Sequence, residues 1–348
     1  MRVLKTILII VGGLLALLAV LVATSSKAYR YERSVMIEAA PTQVYPFVSS
    51  LAAMDKWSPW NEKDPQMKKS MEGTDGTVGA KAMWEGNDEV GKGEQTIAAL
   101  EADKGVELDL KFEAPWQSQN KVAVDLVPEA SGTKVVWSMS GENDLPARLA
   151  GVFMDMDAMI GKDFDKGLGM LKVQVEAAAA LGKAALAERT VNGYVIETID
   201  RPEMIYVGKR NKKVKWDAIS KYYANTFPAA GAALGAAKVE MAGAPSGVYW
   251  EWNEKDQTAD MMAAMPVEGG ADLKVPGMET YVVPASKACM TPYYGAYDKS
   301  EVAHLAIDAY IKSKGLTQYG NVIEEYVTDP MAEKDTTKWL TNVYYMVK

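Results

Sequence analysis

The first residues of the chain differ from the rest because apolar residues follow one another there without interruption. From Ile7 to Ala23 there is no charged or strongly polar side chain, and Arg2 and Lys5 precede this run. A helix of this length spans about 26 Å, close to the ~30 Å hydrocarbon core of a bilayer. The pattern predicts a membrane anchor or uncleaved signal over residues 1–27, with the body of a single-pass protein on the periplasmic side. The alternatives are a signal peptide that is cleaved at Ala23-Thr24-Ser25 and a buried helix of the folded body.

Residues 30–180 show short strand-type segments followed by a long helix-type pattern. Arg33–Ala39 alternates as a strand does, and Pro41 opens a short helix. Further strands separated by turn residues follow over 67–139. A helix is then predicted from Asp155 to Ala179 by apolar residues at helical spacing, namely Ile160, Phe164, Leu168, Leu171 and Val175.

Two glycines stand inside this long helix, where each costs up to about 1 kcal/mol relative to alanine. Gly167 and Gly169 either leave room for a ligand or allow close packing against the sheet. The alanine-rich stretch 177–187 predicts a helical extension that breaks near Gly182, with a domain boundary at about 182–190.

The opening of this region carries a family resemblance. The motif residues are Val35-x-Ile37-x-Ala39-x-Pro41-x-x-Val44-Tyr45-x-Phe47-Val48, followed by Trp57-Ser58-Pro59-Trp60. With the element order, they resemble the START-like or polyketide-cyclase-like superfamily, SRPBCC, over residues 30–180. The resemblance implies a helix-grip fold, in which a curved antiparallel sheet wraps the long helix and encloses an apolar cavity. No acid, base or metal cluster stands out in this half, which favours a binder over a catalyst.

From residue 190 to 348 the order strand-strand-helix-strand-strand occurs twice. The first helix is predicted over Val214–Phe227 and the second over Ser300–Lys314, each with two strands on either side. This order indicates an internal duplication with a groove between the two halves. The fold class predicted for the whole chain is therefore α+β: a membrane helix, a helix-grip domain and a duplicated ββαββ domain.

Composition and charge exclude several classes of partner and of metal site. The net charge of −8 and the absence of a helix-turn-helix pattern argue against nucleic acid as a partner. One cysteine, Cys289, and one histidine, His304, exclude an intrachain disulfide and multi-cysteine or multi-histidine metal sites. No phosphate-binding, dinucleotide-binding or nucleophile-elbow motif occurs, so no cofactor is predicted.

The second half carries a further resemblance, on stretches that lie at strand positions and before the second helix. They are Met204–Gly208, Gly247–Trp252, Met262–Val267, Tyr293–Tyr297 and Ile323–Pro330. Together they resemble the gyrase-inhibitor-like (GyrI-like) family, the effector-binding fold of AraC- and MerR-type regulators, over residues 190–348. The resemblance implies that Glu324 lies at the floor of an aromatic pocket.

Strand alternation assigns side chains to the faces of the sheet. It places Glu324 and Tyr326 on one face and Glu325 on the other, and it turns Trp250 and Trp252 together towards the groove. His304 is assigned a structural role on the second helix. Alternatively, Glu324 faces solvent and the aromatic residues are ordinary core or groove wall. The candidate ligand-binding residues are Glu324, Tyr326, Trp250, Trp252, Tyr206, Tyr294, Tyr297 and Met262.

A carboxylate among aromatic rings attracts a cation or becomes more basic. We therefore expect a membrane-tethered protein that binds a hydrophobic or cationic small molecule. The alternative is a hydrolase of strained, cyclopropane-type electrophiles, with Glu324 as general base and Tyr326 as its partner acid, as some GyrI-like proteins suggest. The sequence predicts neither the ligand nor the oligomeric state.

Overall fold

The computed structural model describes residues 2–348, which form two compact units. The first unit extends to Lys183 and the second runs from Ala184 to Lys348. The apolar run at the amino terminus forms a helix, α1 (Arg2–Thr24). Within residues 2–348, no helix combines the length and the apolar character that a membrane crossing requires. The predicted membrane helix therefore has no support there, and the periplasmic location stays a prediction from the sequence.

The first unit contains one seven-stranded sheet. After α1, its elements are β1 Ala28–Ile37, α2 Pro41–Val48, α3 Leu51–Asp55, α4 Trp60–Lys63, β2 Lys68–Glu72, β3 Lys81–Glu85, β4 Lys92–Glu101, β5 Gly105–Ala114, β6 Ser118–Glu129, β7 Gly132–Glu142, α5 Leu145–Phe153 and α6 Met156–Arg189. The strand order is β1-β7-β6-β5-β4-β3-β2, and every pairing is antiparallel. The chain thus runs through β2 to β7 as a meander, and β1 joins at the β7 edge.

Helix α6 packs against this sheet through the apolar positions that its sequence periodicity predicts. A Cβ atom on Gly167 would lie 2.7 Å from Cζ3 of Trp137 on β7, so this glycine permits close packing with the sheet. Gly169 faces open space, since no atom lies within 4 Å of the position of its Cβ. The buried residues of α6 that share the sheet's core are Phe164, Leu168, Leu171 and Val175.

The predicted break of this helix near Gly182 is wrong, because α6 continues without interruption to Arg189. Alanine is the strongest helix former, and the alanine-rich run on both sides of Gly182 offsets the roughly 1 kcal/mol cost of one glycine.

The second unit contains the two ββαββ repeats. Its elements are β8 Thr190–Val191, β9 Tyr194–Val195, β10 Glu197–Arg201, β11 Met204–Lys215, α7 Ile219–Ala237, β12 Ser246–Asn253, β13 Thr258–Val267, β14 Glu279–Val283, β15 Ser286–Tyr294, α8 Glu301–Ser313, β16 Gln318–Tyr326 and β17 Leu340–Val347. The first repeat is β10-β11-α7-β12-β13 and the second is β14-β15-α8-β16-β17. Helix α7 begins later than predicted because β11 continues to Lys215.

The eight strands of the two repeats form one strongly curled antiparallel sheet. Its order is β10-β15-β17-β16-β12-β13-β11-β14, so five strands separate β10 from β11. Six spacings of about 4.8 Å would hold these strands about 29 Å apart in a flat sheet. Only two residues connect them, however, and cover about 10 Å. The sheet therefore curls until its ends approach, and Arg201 of β10 donates a 2.5 Å hydrogen bond to the Tyr206 hydroxyl of β11.

Both helices of this unit cover the same face of the curled sheet. Leu234 of α7 and Ile307 of α8 are buried against alternate residues of the strands, such as Met261 and Met265 of β13. Met262, the next residue after Met261 on β13, points to the opposite face of the sheet. This face is the inside of the curl, and Met262 is buried there too. The sheet therefore has an apolar interior on each side.

We expect Leu171→Ala to destabilise the first unit by about 3 kcal/mol, because Leu171 is fully buried under the sheet and its loss leaves a cavity. The matched control is Val173→Ala on the same helix, where the side chain is 68% exposed and the change should stay within about 0.5 kcal/mol. Urea unfolding of the full chain, followed by circular dichroism, measures both values. Equal effects of the two substitutions would contradict the packing of α6.

Candidate functional site

A single carboxylate is buried at the centre of the helix-covered face of the second unit. Glu324 of β16 is only 4% exposed. Its Oε2 accepts hydrogen bonds from the hydroxyls of Tyr249 at 2.7 Å and Tyr326 at 2.6 Å. Its Oε1 lies 2.8 Å from Oγ of Ser300, which donates to it, and 2.8 Å from Nε2 of His304. Because an ionised carboxylate only accepts hydrogen bonds, Nε2 of His304 carries the proton in this pair.

The four donors come from different parts of the fold. Tyr249 lies on β12, which pairs with β16, and Tyr326 lies two residues after Glu324 on the same strand. Ser300 directly precedes α8, and His304 follows four residues later on the same side of that helix. Two donors are therefore fixed by the sheet and two by the first turn of α8.

A third tyrosine, Tyr223 of α7, also belongs to this hydrogen-bond network. The hydroxyl of Tyr223 lies 2.6 Å from the hydroxyl of Tyr249 and 3.0 Å from that of Tyr326. It occupies the space above Gly247, which pairs with Glu324 in the sheet, and a Cβ on Gly247 would lie 2.1 Å from this hydroxyl. The glycine is thus needed for the approach of Tyr223.

The environment keeps Glu324 ionised. Burial raises the pKa of Glu324. The hydrogen bond and the charge of His304 lower it, as do the hydrogen bonds from Tyr326 and Tyr249, and these effects outweigh burial. The resulting pKa is about 2, below the ordinary value of 4.5. Burial and the charge of Glu324 raise the pKa of the Tyr223, Tyr249 and Tyr326 hydroxyls well above the usual range, so these groups stay protonated donors.

Glu324 and Tyr326 share one face of β16, as alternation predicts, and Glu325 lies on the other face. There, Glu325 accepts hydrogen bonds from Nδ2 of Asn342 at 3.0 Å and from the hydroxyl of Tyr344 at 2.9 Å.

The prediction that Trp250 and Trp252 face the same side is wrong. Strand β12 has a register shift between Tyr249 and Glu251, which makes Trp250 an extra residue relative to β13. A β-bulge of this kind reverses the alternation beyond it. Trp252 therefore returns to the face of Tyr249, and Trp250 points to the inside of the curl.

The contacts of the two indoles show this difference. Trp252 stacks on Tyr249 with ring centres 4.4 Å apart. Trp250 packs edge-on against Tyr281 at 4.8 Å, and the guanidinium of Arg210 lies 3.8 Å from the centre of its ring. Only Trp252 belongs to the surroundings of Glu324.

The remaining predicted site residues divide in the same way. Tyr297 lies beside the network, since its ring centre is 4.9 Å from that of Tyr326. Tyr206 and Met262 are buried on the inner face of the curl, away from Glu324. Tyr294 is 62% exposed and takes no part in either interior. The structure thus brings Glu324, Tyr326, Trp252 and Tyr297 together and separates the other four residues from them.

Sequence reasoning missed several members of the network, namely His304, Ser300, Tyr249 and Tyr223. The assignment of His304 to a structural role overlooks that Ser300 and His304 stand four residues apart, which places two polar side chains on one side of α8 among buried positions. Gly247 inside a strand was the available signal that a bulky group approaches there.

A large cavity lies within the first unit. Its volume is about 1600 Å³, and it extends from the buried side of the sheet to residues of α5 and α6. Nε1 of the buried Trp137, whose ring contributes to the wall, has no hydrogen-bond partner among the described residues. The aromatic residues of the wall include Trp57, Trp60, Trp84, Phe112, Trp137 and Phe164.

Neither unit offers a ready metal site. Over residues 2–348, no group of three or more His, Cys, Asp or Glu side chains is arranged to hold a metal ion.

Two family models match consecutive parts of the chain. The first, described as polyketide cyclase / dehydrase and lipid transport, matches residues 29–176. The second, the GyrI-like small molecule binding domain, matches residues 196–348. These matches confirm both resemblances that the sequence motifs indicate. No curated protein sequence matches the chain.

Solved structures show weaker similarity. The C-terminal domain of EcmrR is 18% identical, with 44% of this chain and 98% of that chain covered and a TM-score of 0.40. The Aha1 dimer from Colwellia psychrerythraea is 18% identical, with 42% and 96% covered and a TM-score of 0.32. The di-domain protein StfQ from the steffimycin biosynthetic pathway is 9% identical, with 44% and 52% covered and a TM-score of 0.34.

The depressed pKa of Glu324 makes part of the stability of the second unit depend on pH. Because the folded state favours the ionised form, this contribution is present above the unfolded pKa of 4.5 and disappears as the pH falls towards 2. We expect the free energy of unfolding of the wild type to exceed that of Glu324→Gln by roughly 2 kcal/mol more at pH 5 than at pH 2.5. Denaturant unfolding at both pH values measures this difference.

The first unit, which lacks Glu324, provides the internal control, because its unfolding transition should be the same in both proteins. A stability difference between wild type and variant that does not change with pH would contradict the ionised state of Glu324.

Proposed function

We propose that this chain, a polyketide-cyclase-like domain followed by a GyrI-like domain, binds small molecules and recognises a lipophilic cation through Glu324. The observation that carries the proposal is the buried, ionised carboxylate of Glu324 among aromatic rings. A buried anion is costly unless it is paired. Among the described residues, the one side chain within salt-bridge distance of it that can carry a positive charge is that of His304.

The surroundings of the carboxylate suit an apolar cation. The rings of Tyr249 and Trp252 are stacked, and the ring of Tyr297 lies between Tyr326 and Trp339, at 4.9 and 4.7 Å. Aromatic faces attract a cation by about 0.5–2 kcal/mol per good contact, in addition to the apolar surface that they offer. A molecule that combines a positive charge with an apolar body would use both features.

The hydrolase alternative has less support. A general base works best when its pKa lies near the pH of the reaction. The pKa of Glu324 is about 2, and hydrogen-bond donors engage both of its oxygens. These features favour a fixed negative charge over a group that takes up a proton from water.

The cavity of the first unit supports a second binding site, for an uncharged apolar molecule. Its volume of about 1600 Å³ exceeds the 300–1,000 Å³ of typical ligand sites. Its aromatic and methionine-rich wall offers apolar contacts. The unpartnered Nε1 of Trp137 offers one hydrogen bond to an acceptor group of the ligand.

We expect tetraphenylphosphonium to bind the full chain with an affinity that falls at least about tenfold in Glu324→Gln, because one ion pair is lost. The control variant is Glu325→Gln, which removes the neighbouring carboxylate on the opposite face and should bind as wild type does. The control ligand is tetraphenylborate, which has the same shape and the opposite charge. Isothermal titration calorimetry at low salt measures the affinities.

Equal affinities of the two ions for wild type, or equal losses in the two variants, would contradict recognition of a cation by Glu324.

We expect Ala82→Phe to weaken binding of the uncharged probe N-phenyl-1-naphthylamine about tenfold or more, because the added ring occupies the cavity that Ala82 lines. The control is Ala99→Phe on the neighbouring strand, where the side chain is exposed and lies outside the cavity wall. Fluorescence enhancement of the probe measures binding. If both variants bind as wild type does, the probe does not occupy this cavity.

A further inference from the structure

The carboxylate of Glu324 has no free position for a ligand while the network is complete. Each of its two oxygens accepts two hydrogen bonds, and the residue is only 4% exposed. An external cation can pair with it only after one of the donors has left. The donors therefore determine what can bind.

Two of the donors are more easily displaced than the others. Tyr249 and Tyr326 lie on paired central strands of the sheet, where backbone hydrogen bonds on both sides hold them. Ser300 and His304 belong to the start of α8, whose outer side is exposed at Val302. Moving this turn would open Oε1 and leave Oε2 with both of its phenol donors.

Both ring nitrogens of His304 have a hydrogen-bond partner in the neutral and in the charged state of the imidazole. Its Nε2 donates to Glu324, and its Nδ1 lies 3.0 Å from the hydroxyl of Tyr345. In the neutral state the Tyr345 hydroxyl donates to Nδ1. In the charged state Nδ1–H donates to the same oxygen.

We infer that His304 is a built-in cation that competes with the ligand for Glu324, so that binding of an external cation releases the proton of His304. This inference rests on the proposed recognition of a cation by Glu324. The physical reason is charge balance. Two positive charges beside one buried carboxylate would leave one of them uncompensated in an apolar surrounding, which is costly. The neutral imidazole can move aside with α8 at a lower cost.

The titratable groups around this pair belong to five elements of the unit. They are Tyr249 of β12, Tyr326 of β16, Tyr223 of α7, Tyr345 of β17 and Asp308 of α8. The four phenols have raised pKa values because of burial first and the charge of nearby carboxylates second, so they do not titrate near neutral pH. Asp308 lies one turn after His304 and adds negative charge on that side.

His304 is the only histidine in the sequence, so its protonation state can be followed without interference from other imidazoles. Histidine is the side chain that ordinarily titrates between pH 5 and 8, near pH 6.5. A proton NMR spectrum of the full chain therefore contains one imidazole C2 proton signal, which belongs to His304. Its disappearance in His304→Gln checks the assignment.

The experiment titrates tetraphenylphosphonium into wild type from pH 5.5 to pH 7.5. We expect the affinity to rise with pH, by at most about tenfold per unit, as one competing proton requires. At the pH where His304 is half protonated, the ligand should move its NMR signal to the neutral position. Calorimetry in two buffers of different ionisation enthalpy should show that up to one proton is released per bound cation.

Two variants separate competition from a merely structural role. In His304→Gln the amide donates to Glu324 without charge, so the affinity should lose its dependence on pH and no proton should be released. In Tyr345→Phe the charged imidazole loses its acceptor, so the midpoint of the pH dependence should fall to lower pH. Tyr345→Phe also keeps the test available if His304→Gln does not fold.

The outcomes distinguish this inference from the proposed function. If wild type binds the cation through Glu324 but shows neither pH dependence nor proton release, the inference is wrong and the proposed function stands. If wild type does not bind the cation at any pH, the proposed function fails. Retention of wild-type pH dependence in His304→Gln would also overturn the inference, because another group would then release the proton.

Discussion

The second unit depends on the full hydrogen bonding of one buried anion. A carboxylate taken out of water costs several kcal/mol unless each of its oxygens is paired. The phenols of Tyr249 and Tyr326, the hydroxyl of Ser300 and the imidazole of His304 supply these bonds from two strands and one helix. Since none of these elements makes the site alone, the repeats must come together before Glu324 can be buried.

The interiors of the two units are built in opposite ways. The first keeps a wide, mostly apolar space between its sheet and helices, and on the wall of this space the buried Nε1 of Trp137 has no hydrogen-bond partner among the residues that the structure describes. The second fills its interior and concentrates charge at one point. A cavity of the first kind discriminates by shape and apolar surface, whereas a site of the second kind discriminates by the sign of charge.

Much of this arrangement could be predicted from patterns that repeat. Helical spacing gives α6, and alternation gives the faces of Glu324 and Tyr326. Features that depend on one local irregularity or on distant partners could not be predicted. The extra residue at Trp250 reverses the alternation of β12, and no sequence pattern marks it. His304 meets Glu324 only because α8 lies across the curled sheet. At the amino terminus, the apolar run predicts a membrane helix, which no described helix supports.

Ser300 and His304 occupy a single turn at the start of α8, and this placement has a kinetic consequence. If a ligand binds at Glu324 as proposed, a displacement of that turn frees Oε1 from both donors in one movement. Association would then be limited by how often the helix start lifts, at a rate that is the same for ligands of different size. Dissociation, by contrast, would differ between ligands, because each one makes its own contacts with the rings.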